Sequence, residues 1–294
     1  MRCTRLPAGF ELQRFSALSA ARDSARRQPA GRMLRTMWLR LRQITVVAQD
    51  MRKTAVDLSS VLGLEPCFTD PSVKAFGLKN MLFPIGSQFV EVVTPTRGDT
   101  AGGRYMQRRG GDTGYLVIAQ TDDVERRRAR AAELGVRISL ELDMPDEHLS
   151  GIQLHPKDTG GALWEIDQMT MEGADAVDGP WAPAGHYWRP YVRTDLVSSI
   201  VAAELQSADP SALAARWGEI AELDVGSDAG GNPVIALDNA ALRFVEATDG
   251  RGEGLGGIDV KVEDRGAVLA GARVRDCFVS DDRVDIGGLR VQLV

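Results

Sequence analysis

Apolar and polar positions alternate with a strand period at four places along the chain, and each place opens a similar unit. The first two openings both run into Ala-Gln and an aspartate, in Val46–Asp50 and in Val117–Asp122. An internal repeat of this kind indicates one supersecondary unit that is used several times. The predicted opening strands are 41–50, 114–123, 200–209 and 257–264.

A helical spacing of apolar residues follows each opening. The clearest case has Leu213, Trp217 and Ile220 on one stripe, which suits packing on a sheet. Asp209 is a good N-cap for this helix, and Pro210 occupies its first helical position. The predicted helices are 51–63, 124–134, 209–223 and, shorter, 265–271.

Turn residues then indicate a hairpin at the end of each unit, so the chain contains four predicted copies of strand–helix–strand–strand–strand. An acid or amide stands four residues beyond the turn in three copies, as Glu91, Glu165 and Gln292. An Arg/Gly-rich connection at 97–113 joins the first two copies. A Gly/Pro/aromatic linker at 170–195 separates the halves, and we expect its aromatic residues to pack across them.

The charge of the chain is unevenly distributed. Residues 1–36 carry eight arginines against Glu11 and Asp23, and the whole chain has a net charge of −6, so the remainder carries −12. An acidic body is a poor match for a phosphate backbone, and we predict no nucleic-acid partner. The first 36 residues suggest a transit segment or an upstream extension with the start at Met33 or Met37. We favour a disordered extension at 1–36.

Cysteine usage and hydropathy narrow the class of protein further. Three widely separated cysteines fit neither a disulfide framework nor a zinc cluster, and they are typical of a reducing compartment. No apolar run in the sequence approaches the roughly eighteen residues that a membrane span needs. We therefore predict a cytoplasmic protein without a membrane partner.

The segment LHPKDTGGALWEID, residues 154–167, carries the most unusual pattern in the chain. Alternation in a strand places Trp164 and Ile166 on one face and Glu165 with Asp167 on the other. The apolar face is expected to pack. The carboxylate face must meet water, a partner or a cavity.

Four such units, paired two and two, resemble the vicinal oxygen chelate superfamily, which includes the glyoxalases, bleomycin-resistance proteins and extradiol dioxygenases. His155–Gly161 with Glu165 is similar to the closing hairpin of the methylmalonyl-CoA epimerases. The resemblance implies an α+β fold in which the four βαβββ modules form two glyoxalase-like domains, each a curled mixed sheet with helices outside. The predicted domains are 37–169, with the candidate active cavity, and a degenerate domain at 196–294, joined by the linker at 170–195.

The resemblance also implies where the metal ligands of such proteins would lie. Gln43 stands where a histidine is usual, Glu91 and Glu165 match the ligands that end the first two units, and Gly114–Leu116 lacks the remaining histidine. Oxygen ligands from these three side chains suit a hard cation such as magnesium or manganese. We expect no zinc or iron, and whether a weakly held divalent cation binds stays open. The matching places in the C-terminal half are Ala202, Glu246, Gly257 and Gln292.

Two carboxylates in one cavity have a second use, because mutual repulsion raises the pKa of one of them. Glu165 with Glu91 is the predicted catalytic pair for proton transfer, and Tyr115 is a candidate donor to an enolate-like oxygen. Gln43, His155 and Lys157 are further candidates for binding substrate, Lys157 through attraction of an anionic group. The competing interpretation is a structural carboxylate network that marks an eroded site.

The predicted function is a glyoxalase-like lyase or isomerase that acts by proton transfer on a small carbonyl or thioester compound in the N-terminal cavity. The alternative is a non-catalytic protein of the bleomycin-resistance type that binds or sequesters a small molecule. Either interpretation predicts a small-molecule ligand, and a monomer or a homodimer.

Overall fold

The computed structural model describes residues 37–294, and their strands form two mixed sheets. The predicted disordered extension at 1–36 lies outside the described residues. Each sheet contains two of the four modules, as the sequence repeat predicts. The predicted fold class is confirmed. The domain boundaries at 169 and 196 remain a prediction, because residues 37–294 form a single compact unit.

The first sheet has seven strands in the order β2-β3-β1-β4-β7-β6-β5. Its two modules meet through β1 and β4, which pair antiparallel, whereas β1–β3 and β4–β7 pair parallel within each module. The strands are β1 Leu39–Val47, β2 Leu78–Ile85, β3 Gln88–Pro95, β4 Thr113–Thr121, β5 Ile138–Met144, β6 Leu149–Leu154 and β7 Leu163–Met169.

The second sheet has eight strands in the order β13-β14-β15-β12-β8-β11-β10-β9 and repeats this plan. Its central antiparallel pair is β8–β12, flanked by the parallel pairs β8–β11 and β12–β15. The strands are β8 Val197–Ser207, β9 Val225–Ser227, β10 Pro233–Ala236, β11 Ala241–Glu246, β12 Gly254–Val262, β13 Phe278–Ser280, β14 Arg283–Ile286 and β15 Leu289–Leu293.

Each of the four predicted helices forms, and each begins at an aspartate that follows an opening strand. Asp50, Asp123, Asp209 and Asp264 accept a hydrogen bond from the backbone N–H three residues ahead, which satisfies one free donor of the first turn. The helices are α1 Met51–Leu62, α2 Ala101–Arg108, α3 Val124–Glu133, α4 Pro156–Thr159, α5 Pro210–Ala221 and α6 Arg265–Val274; short 3₁₀ helices occupy Pro71–Phe76, Pro145–Glu147, Ala182–Ala184 and Arg189–Tyr191.

The structure departs from the sequence-based prediction in the first module and in the connection that follows it. One of the predicted strands of this module is reduced to a single bridge, Phe68 to Leu82. Pro66 and Pro71 flank that bridge, and proline cannot donate to a strand ladder. The predicted irregular connection at 97–113 contains the helix α2, which the sequence did not reveal because two of its eight residues are glycine.

A shared apolar core holds the two sheets and their helices together. Trp164 on β7 stacks on Trp217 of α5, with ring centroids 4.1 Å apart and planes 2° from parallel. Both rings are fully buried, and Phe244 of β11 meets Trp217 edge-on. The apolar face of β7 therefore packs on a helix of the C-terminal half, as the alternation around Glu165 predicts.

The linker packs differently from the prediction. Trp181 and Trp188 are buried against the N-terminal sheet, where Trp188 meets Phe89 edge-on at 5.1 Å, whereas Tyr187 is 84% exposed. Trp181 and Trp188 therefore pack with the N-terminal half and do not bridge the halves. Among residues 37–294, no helix is long and apolar enough to cross a membrane.

Candidate functional site

A cavity of about 730 Å³ lies between the curled N-terminal sheet and the linker. Its walls are largely apolar, contributed by strands, by the 3₁₀ helix at Pro71–Phe76 and by the linker. Four of the predicted site residues, Gln43, Glu91, Tyr115 and Glu165, line it. A pocket of this size with a few convergent polar groups is the usual form of a small-molecule site.

Strand pairing explains why these residues meet. Glu91 lies opposite Thr45 across the β1–β3 pair, and Glu165 lies opposite Ile118 across the β4–β7 pair. Because the four strands are neighbours and side chains alternate in direction, the two glutamates project from the same face of the sheet. The sequence repeat places each glutamate, and the antiparallel pairing of β1 with β4 brings both into one cavity.

Glu91 is held by three neutral donors. Asn80 Nδ2 donates to Oε1 at 2.7 Å, while Thr45 Oγ1 and Gln43 Nε2 donate to Oε2 at 2.8 and 3.0 Å. Burial raises the pKa of this carboxyl above its ordinary value, and the three hydrogen bonds oppose that rise. Glu91 is therefore fixed in place by donors that do not compensate its charge.

Glu165 is less completely engaged. Gln153 Nε2 donates to its Oε2 at 2.9 Å, and among residues 37–294 no amide, hydroxyl or backbone N–H donates to Oε1. Burial, opposed by the hydrogen bond from Gln153 and reinforced by the negative charge of Glu91, raises its pKa from 4.5 to about 7. A carboxyl with this pKa can both take up and release a proton near neutral pH.

Asp167 is a functional candidate that the sequence reasoning did not select. It is fully buried on the same face of β7 as Glu165, and no amide, hydroxyl or N–H group of the described residues donates to either of its oxygens. Burial, reinforced by the negative charge of the neighbouring Glu165, raises its pKa well above the ordinary value for an aspartate. The sequence did contain a signal for Asp167, because a residue two positions after Glu165 in a strand lies on the same face.

Gly151 makes room for Asp167. It lies directly opposite on β6, and a Cβ added there would stand 2.1 Å from Asp167 Oδ1. Any larger residue would displace the buried carboxyl. This contact joins strands that are sixteen positions apart in sequence, and the pattern of a single strand does not reveal it.

Tyr115 contributes a hydroxyl to the cavity. The residue is 8% exposed, its ring lies 5.4 Å from that of Tyr105, and its hydroxyl has no hydrogen-bond partner within residues 37–294. Burial raises its pKa to about 12, so the phenol stays protonated. It is available to donate a hydrogen bond to an oxygen of a bound molecule.

Comparison with known proteins identifies the fold. A manganese(II)-bound glyoxalase of Novosphingobium aromaticivorans has a TM-score of 0.58 at 13% identity, with 86% of this chain and 81% of that chain covered. A variant of 4-hydroxymandelate synthase from Streptomyces coelicolor has a TM-score of 0.60 at 14% identity, covering 81% and 75%. The chain has the vicinal oxygen chelate fold.

The relation to individual vicinal oxygen chelate proteins is distant in sequence. No family model matches the chain. Human mitochondrial methylmalonyl-CoA epimerase is 24% identical over 161 residues, which covers 52% of this chain and 91% of that protein. A hypothetical protein from Staphylococcus aureus covers 87% of this chain and 99% of its own, with a TM-score of 0.58 at 11% identity. These figures support the fold, and the activity must be argued from the site.

The three residues that match the family's metal ligands do not fit a divalent ion here. Gln43 Oε1 accepts a hydrogen bond from Trp181 Nε1 at 2.9 Å, and its Nε2 donates to Glu91. Three donors surround the Glu91 carboxyl. The side-chain oxygens of Gln43 and Glu91 are therefore already engaged in hydrogen bonds within the protein. Among residues 37–294, no group of three His, Cys, Asp or Glu side chains is placed to hold a metal. Trp181, a linker residue, thus occupies the amide that a cation would need.

Two of the predicted substrate-binding residues, His155 and Lys157, are not among the residues that line the cavity. His155 caps α4 by accepting from the backbone N–H of Lys157 at 3.2 Å, and Lys157 is exposed. Arg137 holds the same loop through a bidentate ion pair with Asp158. The loop packs beside α5 of the C-terminal half, where Arg216 Nε donates to the backbone carbonyl of Asp158 at 3.0 Å.

Charged side chains fill the corresponding face of the C-terminal sheet. Arg243 of β11 pairs with Asp259 of β12 and, at 2.7 Å, with Glu204 of β8. Arg290 of β15 binds Glu204 from the other side at 2.8 Å. Glu246 is exposed at the end of its strand. The predicted degenerate half thus carries a compensated ion-pair network where the N-terminal half carries uncompensated carboxylates.

Proposed function

We propose that the N-terminal cavity binds a small carbonyl or thioester compound and that Glu165 moves a proton at the carbon next to the carbonyl. The reaction class is that of a glyoxalase-like lyase or isomerase. The observation that supports it is a carboxyl with a pKa of about 7, placed inside a largely apolar cavity without a cationic partner. Similarity to a methylmalonyl-CoA epimerase is consistent with this class.

Each polar group has a defined part in such a step. Ionised Glu165 takes the proton from the carbon, and the electron pair of the broken C–H bond moves onto the carbonyl oxygen. Tyr115 donates a hydrogen bond to that oxygen and stabilises its developing charge. Glu165 then returns a proton to carbon from its own side of the planar intermediate, and the electron pair on oxygen moves back to restore the carbonyl.

Glu91 and Asp167 act through Glu165. The charge of Glu91 raises the pKa of Glu165, and burial raises the pKa of the neighbouring Asp167 carboxyl. Both are positioning residues, since donors hold both oxygens of Glu91 and Asp167 is fully enclosed. Together they keep Glu165 near the pKa at which it serves as both base and acid.

Deuterium exchange tests the proposal. A panel of small ketones and acyl thioesters is incubated with the protein in D₂O, and nuclear magnetic resonance follows deuterium at the carbon next to the carbonyl. We expect exchange with wild type, its loss in Glu165→Gln, and its retention in the matched control Glu246→Gln, whose glutamate is exposed in the C-terminal half. Undiminished exchange in Glu165→Gln would contradict the assignment.

The apolar walls favour a second candidate function, a protein that binds a small molecule without changing it. Phe68, Leu142 and Met144 are among the residues that supply this surface. The same experiment separates the two functions. A ligand that binds in the cavity and shows no deuterium exchange supports the binding protein.

A further inference from the structure

The charged groups that line the cavity are almost all acidic. Glu91 and Glu165 lie deep inside it, and Asp70 with Glu147 are less buried members of its wall. Among residues 37–294, no arginine or lysine lines the cavity. Its basic side chain is His186, which is 61% exposed and stands 3.8 Å from Glu147.

The arginines on the neighbouring helix do not change this picture. Arg104 and Arg108 of α2 lower the pKa of Tyr115 through their charge, although burial dominates the balance. Neither side chain lines the cavity, and Arg104 donates to the backbone carbonyl of Asp99 outside it. The carboxylates inside therefore have no guanidinium or ammonium partner among the described residues.

Two buried polar groups without a cationic partner line the cavity, and they indicate what a ligand must offer. Glu165 and Tyr115 are each more than nine-tenths buried, yet Glu165 is hydrogen-bonded only to Gln153 and to the neighbouring Asp167 carboxyl, and no hydrogen bond of the Tyr115 hydroxyl is seen within the described residues. Buried polar groups of this kind are normally satisfied. A ligand oxygen would satisfy the Tyr115 hydroxyl, and a hydrogen-bond donor or a positive charge would satisfy Glu165.

We propose that the substrate is a carbonyl compound with an apolar body and no negative charge, and that a positive charge strengthens its binding. The inference rests on the proposed function for the location of the site. A cavity lined by charges of one sign and apolar walls concentrates their field, so it attracts cations and repels anions. A carboxylate beside ionised Glu165 would add a like charge where little water screens it.

This assignment separates the chain from the relative that it resembles. The methylmalonyl group in the name of that protein carries a carboxylate, and arginine or lysine side chains are the usual partners of such a group. The described cavity of this chain lacks both. Its substrate therefore belongs to a different charge class.

Three probes of nearly equal size test the proposal with the full chain. Phenylbutylamine, phenylbutanol and phenylbutyrate share an apolar body and differ in charge, and titration calorimetry at pH 8 measures their affinities. At this pH Glu165 is ionised, because its pKa is about 7. We expect the amine to bind most tightly, the alcohol next, and the carboxylate at least about tenfold more weakly than the alcohol.

Two variants connect this ranking to the cavity. In Glu165→Gln, we expect the carboxylate to recover about tenfold in affinity and the amine to lose a similar factor, while the alcohol changes less than about threefold. The control Glu246→Gln should leave all three affinities unchanged, since that glutamate lies in the C-terminal half. The wild-type ranking is informative even if a variant does not fold.

The proposal is overturned if phenylbutyrate binds as tightly as phenylbutanol, or if none of the three probes binds. It is also overturned if the ranking is the same in Glu165→Gln as in wild type. These measurements detect binding without turnover. A correct ranking with no deuterium exchange would refute the catalytic function and leave the assignment of ligand charge intact.

Discussion

Replacing Glu165 by glutamine tests the physical state of the cavity most directly. The change removes one negative charge and keeps the shape of the side chain and its capacity to accept from Gln153. If the ionised carboxyl destabilises the fold, the variant must have a higher free energy of unfolding than wild type at every pH at which Glu165 is ionised. A structural carboxylate would behave in the opposite way, because its partners would be left unpaired.

The magnitude follows from the pKa. Glu165 titrates at about 7 in the folded chain against 4.5 when unfolded, so ionisation costs the fold about 3 kcal/mol above pH 7. The raised folded-state pKa means that this part of the stability is fully present below about pH 4.5 and is lost as the pH rises through about 7. Glutamine forms a weaker bond with Gln153, which offsets about 1 kcal/mol. The variant should therefore be about 1–3 kcal/mol more stable than wild type at pH 8, and near equal at pH 4.5.

Urea denaturation of both proteins at pH 4.5, 6 and 8, with equal m-values, measures the difference in free energy of unfolding. Comparing the difference across pH cancels the titration of groups that both proteins share. The reasoning is refuted if the difference stays constant across this range, or if the variant is the less stable protein at pH 8. Glu246→Gln serves again as the control and should show no trend with pH.

Three further outcomes are expected. Gly151→Ala should lower the free energy of unfolding by about 2 kcal/mol, because the new Cβ collides with Asp167. In the control Gly226→Ala the nearest atom is 3.9 Å from the new Cβ, and the free energy of unfolding should change by less than about 0.5 kcal/mol. Urea denaturation measures both variants, and equal effects would contradict the contact. Trp217→Ala should cost about 3–5 kcal/mol by the same assay, since it opens a cavity beside Trp164, and a loss below about 1 kcal/mol would show that the stack is dispensable. Dialysis against a chelator should leave the calorimetric affinity for phenylbutanol unchanged, and a loss that manganese restores would show that the cavity holds a metal.

The local sequence pattern was sufficient to predict the helices and strands, and to predict which face of an individual strand is packed. The aspartates that end the opening strands cap the helices that follow, because a cap needs only the residues of one turn. The alternation of Trp164 and Glu165 similarly determined which face packs and which carries the carboxylate. Both are interactions within a few residues, and a repeat of such units already indicates the number of modules.

The composition of the site was decided by contacts between residues that are distant in sequence. Glu91 and Glu165 share a cavity because β1 and β4 pair across the modules, and Trp181 of the linker takes the amide oxygen of Gln43 from 138 positions away. Gly151 lies opposite Asp167 on β6 and leaves room for its carboxyl, whose pKa burial raises well above the usual range. His155 and Lys157 follow a strand with the expected pattern, but the loop that carries them packs beside α5 through the contact of Arg216 with Asp158. Pairing, linker packing and burial act between segments, so the pKa of a carboxyl and the partners of a potential ligand follow only from the folded chain.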